Sequence, residues 1–571
     1  MKIEVTRKKE RVIILGVHDG HNAGVALIAD VVVLAAINEE RLNNIKDYSG
    51  VPHLALRKVL EISGVTPQQI STVCISSRLR LDNPTKVDSN ELHFMAEHFA
   101  QYCHGNKFIH VSIDFFQFFR KKKELFEALT SLGLDRKSVQ FIEHHQAHVA
   151  CAYYQRPWDD KTLVLTLDGM GDGLSATVGI GKGNQVERIA ETGFYDSIGN
   201  NLYSEVTAYL GMKRWEHEYK VMGLAPYGKP DGIIEDFRTL FRINPQHPLM
   251  FENISGHYLK QMQHVYRKIL EGKRFDNIAA ATQKHYEELI VQWVKNAIAQ
   301  THIHKVVCAG GSFLNVKVNM LIRQLEEVED FFVYPAAEDG GSAVGAALEG
   351  YYRHCQTHGI EPIKSKLTNI YYGEEHSNDE IREFIIAHKL SKKAHKVSAK
   401  DVATLLSHEQ VIARFAGRDE WGPRALGNRS ILADPRNLSV IRKINFAIKQ
   451  RDFWMPFGPA VLNEDKDKYF VNARFAPYMI EAFQTKKEAR DIIDTLHPYD
   501  LTGRPQTVNN WNPGFHDIIS EFKKKTGVGG VLNTSFNLHG SPMCGTLEHA
   551  LETFQNSALD GLLLGDWLVS R

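Results

Sequence analysis

Two stretches of this chain follow one plan, and that repeat limits the folds open to it more than any other feature. The first, RVIILGVHDGHNAGVALIADVVVLAAINEER, runs apolar strand, Gly/Asp/Asn turn, then two further apolar strands. The second, KTLVLTLDGMGDGLSATVGIGKGNQVERIAE, repeats that order with an Asp-Gly turn and a glycine turn. β-Branched and aliphatic residues favour strands, and the turn residues mark the hairpins between them. A weak repeat of this kind predicts two related α/β halves facing each other across a cleft. At 571 residues the chain also exceeds what one core organises, so at least two domains are expected.

Two more strand-to-helix junctions follow, in KVVCAGGSFLNVKVNMLI and FFVYPAAEDGGSAVGAALEGYYRH. Glycines there let the backbone approach a ligand, and N–H groups at a helix start can face an anion. Four such junctions together resemble the actin/Hsp70/sugar-kinase arrangement, in which a nucleotide lies between two lobes. Composition turns polar around 355 to 400, which predicts a domain boundary near residue 358 and hence domains 1–357 and 358–571. Beyond it, DVATLLSHEQVIARFAGRDEWGPRALGNRS and GVGGVLNTSFNLHGSPM indicate a second α/β unit.

Lys plus Arg and Asp plus Glu both number 68, so overall charge gives no signal for nucleic acid or anionic lipid. Short basic runs, Arg120 to Lys123 and Lys523 to Lys525, read as solvated helix faces. The six cysteines contain no CxxC pair, which argues against a disulfide scaffold or zinc ribbon and fits a reducing cytoplasm. The amino terminus lacks a signal-peptide pattern, and VVVLAAI is far too short to span a bilayer. A soluble cytoplasmic protein is expected.

The segment FIEHHQAHVACAYY sets His144 and His148 four apart where an apolar helical pattern begins. Positions i and i+4 share a helix face, so both rings can converge on one ion. An isolated pair at this spacing is more often solvated or satisfied in a core. Two carboxylates shift that balance: Asp168 ends the strand LVLTLD, Asp339 precedes GGSAVGAAL, and both loops face the cleft of a two-lobed fold. Two histidines with one or two carboxylates leave open positions on a metal such as Fe(II) for a substrate oxygen. His21, in DGHNAGVAL at the first hairpin turn, is a candidate general base near neutral pH. His18 competes with it, and spacing does not choose between them.

Further on, RDEWGPRALGNRSILADPR gathers Arg418, Arg424, Arg429 and Arg436 with Ser430, and Lys443, Lys449 and Arg451 follow. Guanidinium forks take phosphate oxygens in pairs, and glycines let the backbone close around them. The interleaved Trp, Pro and Gly suit a solvated helix poorly, so phosphate binding is the expectation. LNTSFN adds Asn533, Thr534, Ser535 and Asn537, amides and hydroxyls suited to a polyphosphate or carbamoyl group.

The motifs EERLNNIKD, EHHQAH, EYKVMGLAPYG, WGPRALGNRSILADPR, RPQTV and LNTSFN together resemble the O-carbamoyltransferases of the nodulation-factor, cephamycin and tobramycin type, over nearly the whole chain. The resemblance implies a two-lobed, actin/Hsp70-like first domain, similar to the universal tRNA threonylcarbamoyl-transfer protein, and a YrdC-like α/β C-terminal domain. It implies that the second domain joins carbamoyl phosphate to ATP, forming carbamoyl adenylate and pyrophosphate. The first would then pass the carbamoyl group to a hydroxyl and release AMP. Carried over residue by residue, His144, His148, Asp168 and Asp339 match the metal positions, with Fe2+ the expected ion, and His21 matches the catalytic histidine. Arg418, Arg424, Arg429, Ser430, Lys449, Arg451, Arg504, Asn533, Thr534 and Ser535 fall in the carbamoyl phosphate and ATP motifs. Of these, Lys449 and Arg451 are expected to be catalytic, and Mg2+ to accompany ATP. Gly310, Gly311 and Asn315, with Gly340 and Gly341, match adenylate-binding loops. The chain departs from its relatives after His21, where Asn-Ala-Gly replaces the commoner Asp-Ala-Ser.

Two alternatives stand beside this reading. One is a threonylcarbamoyl- or hydrogenase-maturation-type transferase acting on RNA or protein; against it, the sequence shows no acylphosphatase-like segment, no cysteine-rich zinc region and no overall basic character. A non-catalytic metal- and nucleotide-binding scaffold is the alternative of another class. The acceptor stays open among an antibiotic sugar, a lipochitooligosaccharide and a hydroxymethylated nucleobase, so nucleic acid enters only as an acceptor. No membrane partner is expected, and a homodimer is allowed. The aromatic stretch HFMAEHFAQYCHGNKFIHVSIDFFQFF reads as a buried helix pair rather than an acceptor pocket.

Overall fold

The repeat seen in the sequence becomes two sheets of identical strand order. The computed structural model describes residues 11–77, 123–134, 139–449 and 452–571. Arg451, the aromatic stretch at 93–119 and the basic run apart from Lys123 lie outside the described residues. In the first sheet, β1 (Ile13–His18), β2 (Gly24–Ala29) and β3 (Val32–Asn38) form an antiparallel meander. β4 (Thr72–Ser76) and β5 (Val139–Ile142) extend it in parallel, giving the order β3-β2-β1-β4-β5.

The second sheet repeats this arrangement. Its meander is β6 (Thr162–Gly171), β7 (Leu174–Lys182) and β8 (Gln185–Gly193). A small hairpin, β9 (Phe241–Ile243) with β10 (Phe251–Asn253), intervenes in the chain. Then β11 (Lys305–Ala309) and β12 (Asp330–Val333) add in parallel, giving β12-β11-β6-β7-β8. The two-lobed α/β arrangement expected from the sequence is therefore present.

Helices His144–Tyr154 and Ser342–His358 fill the space between these sheets. Both are buried nearly all round, as a helix between two sheets must be. They approach so closely that a Cβ on Gly345 would stand 1.9 Å from the carbonyl oxygen of Ala147. Only glycine permits that contact. The contact ties the histidine helix to the helix that follows Asp339.

The C-terminal part forms one eight-stranded mixed sheet. Its strands are β13 (Ala394–Lys396), β14 (Ile412–Phe415), β15 (Arg429–Ala433), β16 (Gly458–Leu462), β17 (Gln506–Val508), β18 (Gly530–Ser535), β19 (Gly561–Leu564) and β20 (Trp567–Ser570). Their order is β13-β20-β19-β14-β15-β18-β16-β17. A separate apolar cluster covers each face, one containing Phe515 and Phe522, the other Phe536 and Phe554. Direct bonds fasten this unit to the two lobes. Arg41 donates to the Gly422 carbonyl at 2.7 Å, the Trp454 indole to Lys220 at 3.1 Å, and His497 to Gly223 at 2.7 Å. Trp421 and Met479 join the apolar cluster beneath the interlobe helices. No described helix is long and apolar enough to cross a membrane.

Candidate active site

Four side chains converge where the histidine helix begins. Glu143 caps that helix, accepting the backbone N–H groups of His145 and Gln146 at 2.9 and 2.8 Å, while Arg188 donates to its carboxylate. The His144 N–H donates to Asp172 at 2.8 Å, which fixes the first turn. His144 Nε2 and His148 Nε2 then stand 3.1 Å apart. Asp168, in the irregular end of β6, brings Oδ2 to 3.3 Å from His144 Nε2. Asp339 Oδ1 lies 3.4 Å from His144 Nε2 and 3.5 Å from His148 Nε2. Ligand atoms of all four residues fall within 4.8 Å of one another.

The electrostatics match that geometry. Burial opposes charge on His144, but Asp339 and Asp168 hold its pKa well above the ordinary histidine value. Burial would raise the Asp339 carboxyl, yet the facing histidines keep it well below the ordinary range, and Asp168 is lowered likewise. Asp339 Oδ1 is buried and receives no well-directed hydrogen bond. Its lone pairs, two imidazoles and a second carboxylate suit a divalent cation. His145 does not join them: its Nδ1 pairs with the Thr166 hydroxyl at 2.8 Å, and burial lowers its pKa to about 4.

The two hairpin histidines part company. His18 is buried at the end of β1, with Nδ1 2.7 Å from the Ser76 hydroxyl and Nε2 4.0 Å from Asp339. Its Nε2 also lies 2.9 Å from the His21 carbonyl. His21 stands further out, its Nε2 donating to the Trp215 carbonyl at 3.3 Å, and it lines the cavity in front of the cluster.

That cavity, of about 800 Å³, runs from the His/Asp cluster to the C-terminal sheet. Asp168, Asp339, Gly311 and Asn315 line one end. Arg424, Lys449, Arg504, Asn533, Thr534 and Ser535 line the other. Lys449 is buried and reaches the Ser535 carbonyl and the Asn537 side chain, with its Nζ 3.2 Å from the Ser535 hydroxyl. Arg504 donates to the Met479 carbonyl at 3.3 Å, and Asn533 donates to the Ala425 carbonyl at 3.1 Å. Gly310 sits behind Gly311 at φ +106°, where a Cβ would meet the Leu167 carbonyl at 2.2 Å. Gly340 and Gly341 form the turn that presents Asp339 and are not part of the wall.

Three residues grouped with the phosphate motif lie elsewhere. Arg418 spends its guanidinium on the carbonyls of Gly373, Tyr372 and Leu34, at 3.0, 2.6 and 2.8 Å. Arg429 is fully buried, stacks 3.7 Å over Phe415, and donates to the carbonyls of Gly417 and Glu374. The Ser430 hydroxyl accepts the Gly427 N–H at 3.0 Å. All three brace the loop, and none faces the cavity. Conversely, the wall holds Arg41 and Glu338, which sequence reasoning did not single out. Arg41 was visible only inside EERLNNIKD. Burial pushes the Glu338 carboxyl up to about 8, and nothing in its spacing announced that.

The chain matches the family described as carbamoyltransferase N-terminus over residues 13–348 and that described as carbamoyltransferase C-terminus over residues 403–571. It is 30% identical over 568 residues to the nodulation protein NolNO of Sinorhizobium fredii, covering 96% of this chain and 79% of that one. It is 25% identical over 443 residues to the 3'-hydroxymethylcephem-O-carbamoyltransferase of Amycolatopsis lactamdurans, covering 76% and 82%. Among solved structures it aligns with HypF of T. kodakarensis at 13% identity and a TM-score of 0.35, covering 62% of this chain and 49% of that one.

Proposed function

Since the chain belongs to the carbamoyltransferase family and is an enzyme of that class, we propose that it is an ATP-dependent O-carbamoyltransferase with both half-reactions in one cavity. The observation that carries this reading is the shared wall: Asp168 and Asp339, the carboxylates of the cluster, and the Lys449–Ser535 group line the same space. Residues 358–571 supply the donor half. Carbamoyl phosphate, water and ATP give carbamoyl adenylate, pyrophosphate and phosphate. Lys449, Arg424 and Arg504 offset the crowded negative charge of that step, and Asn533 and Thr534 orient the carbamoyl group through amide and hydroxyl bonds.

Residues 1–357 supply the transfer half. The acceptor hydroxyl attacks the carbamoyl carbon, the C–O bond to AMP breaks, and AMP leaves. Gly311 and Asn315 flank the adenylate. His144, His148, Asp168 and Asp339 would hold a divalent metal, for which Fe2+ fits the nitrogen–oxygen donor set; when bound, it supplies Lewis-acid polarisation. An alcohol must lose its proton as it attacks, and a hairpin histidine takes it. Proximity to Asp339 favours His18, while His21 lies on the cavity wall, nearer the acceptor's path. His18→Ala and His21→Ala separate them, since the base variant loses transfer and keeps the donor half-reaction.

The test is carbamoyl phosphate-dependent ATP–pyrophosphate exchange, joined to mass spectrometry for a carbamoyl gain across an alcohol library. Exchange that does not depend on carbamoyl phosphate would refute the proposal.

A further inference from the structure

The cavity rim on the hairpin side carries a large aromatic residue that the chemistry above does not use. Trp215 is 57% exposed, yet it is held firmly. Its backbone lies in the left-handed region at φ +61°. A bulky residue rarely adopts that conformation unless its surroundings impose it. Three contacts do so here. Its N–H donates to Glu218 Oε1 at 2.7 Å, its carbonyl accepts from His21 at 3.3 Å, and its indole N–H donates to Asn200 Oδ1 at 2.9 Å. Glu218 is itself fixed by the Ser204 hydroxyl at 2.6 Å. Asn200 is buried and packs directly against Gly169, the residue after Asp168. The indole is therefore tied to the wall that carries the metal-type cluster.

Scattered exposed apolar side chains need no explanation. A tryptophan pinned through backbone and ring at the edge of a reaction cavity is a different case. An aromatic face presented rigidly to solvent binds other flat faces at little entropic cost.

The charges nearby narrow what those faces can be. Lys46 pairs with Glu216 at 3.0 Å, and Lys213 reaches the same carboxylate. Arg214 sets both prongs of its fork on Glu205, at 2.7 and 2.8 Å. Each cation flanking Trp215 thus already has a carboxylate partner, which disfavours a phosphate beside the indole.

We infer that the Trp215 indole is the platform on which the carbamoyl acceptor lies. The acceptor is a ring with a flat apolar face, either the C–H face of a pyranose or a heteroaromatic plane, with no phosphate beside its reacting hydroxyl. This rests on the carbamoyl-transfer reading of the same cavity. Stacking fixes the plane of the ring and leaves one edge toward the Asn200–Asp168 wall.

Saturation-transfer NMR on the whole protein tests this with three probes: chitotetraose, 5-hydroxymethyl-2′-deoxycytidine and the 5′-monophosphate of that nucleoside. At least one of the two uncharged ring probes should bind wild type. Trp215→Ala should weaken it at least about 10-fold, and Trp215→Phe should stay within about threefold, as stacking energies imply. Binding of chitotetraose alone assigns the pyranose face; binding of the nucleoside alone assigns the heteroaromatic plane. With a probe that is also carbamoylated, Trp215→Ala should raise KM by that factor with kcat within threefold. No binding by either ring probe, equal binding by Trp215→Ala, or tighter binding of the monophosphate overturns the inference. Pyrophosphate exchange is measured alongside: its loss in wild type strikes the parent reading, whereas its retention with unaltered acceptor binding in Trp215→Ala strikes this one alone.

Discussion

Replacing Gly171 with alanine should abolish tight divalent-metal binding without unfolding the protein. The new Cβ would stand 2.0 Å from His144 Cδ2 and 2.5 Å from its Nε2. Ordinary contact begins near 3.4 Å, so the ring must retreat by about 1.4 Å. Little room exists for that retreat. The His144 backbone is anchored to Asp172, and the His145 and His148 rings lie 5.5 and 4.7 Å away, centroid to centroid. A ligand set tolerates displacements of only about 0.2 Å, so His144 drops out of it. Losing one of four ligands should weaken binding at least about 100-fold, or about 2.8 kcal/mol. The overpacking itself costs about 1–3 kcal/mol of stability. Gly181→Ala is the control, because its Cβ would meet the Tyr153 ring at the same 2.0 Å, away from the cluster. Anaerobic calorimetry with Fe2+, or with Co2+ as a stable surrogate, reads affinity, and urea unfolding reads stability. Both variants should lose similar stability, and only Gly171→Ala should lose the metal. Wild-type affinity in Gly171→Ala, or equal loss in both, would mean that displacing His144 does not govern metal binding.

Three other outcomes are expected. Lys449→Met should cut carbamoyl phosphate-dependent exchange at least about 100-fold, as removal of a preorganised charge does, while calorimetric metal affinity stays unchanged. Arg418 reaches its three carbonyls from two separate nitrogens, Nε and Nη2, a spread that the single nitrogen of lysine does not span, so Arg418→Lys should lower the melting temperature yet leave the KM for carbamoyl phosphate within threefold. Burial alone would raise the Glu143 carboxyl, but His145, Arg188 and the helix N–H groups hold it down to about 2. A depressed carboxyl stabilises the fold above its unfolded value of 4.5 and loses that contribution as pH falls toward 2. Glu143→Gln should therefore be about 1–2 kcal/mol less stable at pH 7, with the gap to wild type closing between pH 4.5 and 2 in urea titrations.

The sequence disclosed what depends on local period and lost what depends on depth. Hairpin turns and β-branched runs are local, so the two meanders are legible in the residue pattern itself, and their similarity implies the facing lobes. The i, i+4 spacing of His144 and His148 is likewise local, and it places their Nε2 atoms together. His18 and His21 were indistinguishable because they flank one turn, and only its three-dimensional course puts His18 beside Asp339. The arginines show the same limit. Composition marked Arg418, Arg424 and Arg429 alike as phosphate ligands, whereas β15 is buried on both faces and draws Arg429 into the core. Trp215 had no legible signal, because its role depends on a left-handed backbone held by residues up to 194 positions away.

On the proposed function, two chemistries share one cavity while depending on different residues. Asp339→Asn, assayed in parallel for pyrophosphate exchange and for carbamoyl transfer, tests this most directly. Exchange should stay within about threefold of wild type, and transfer should disappear. Exchange lost together with transfer, or transfer that persists without the Asp339 carboxylate, would contradict it.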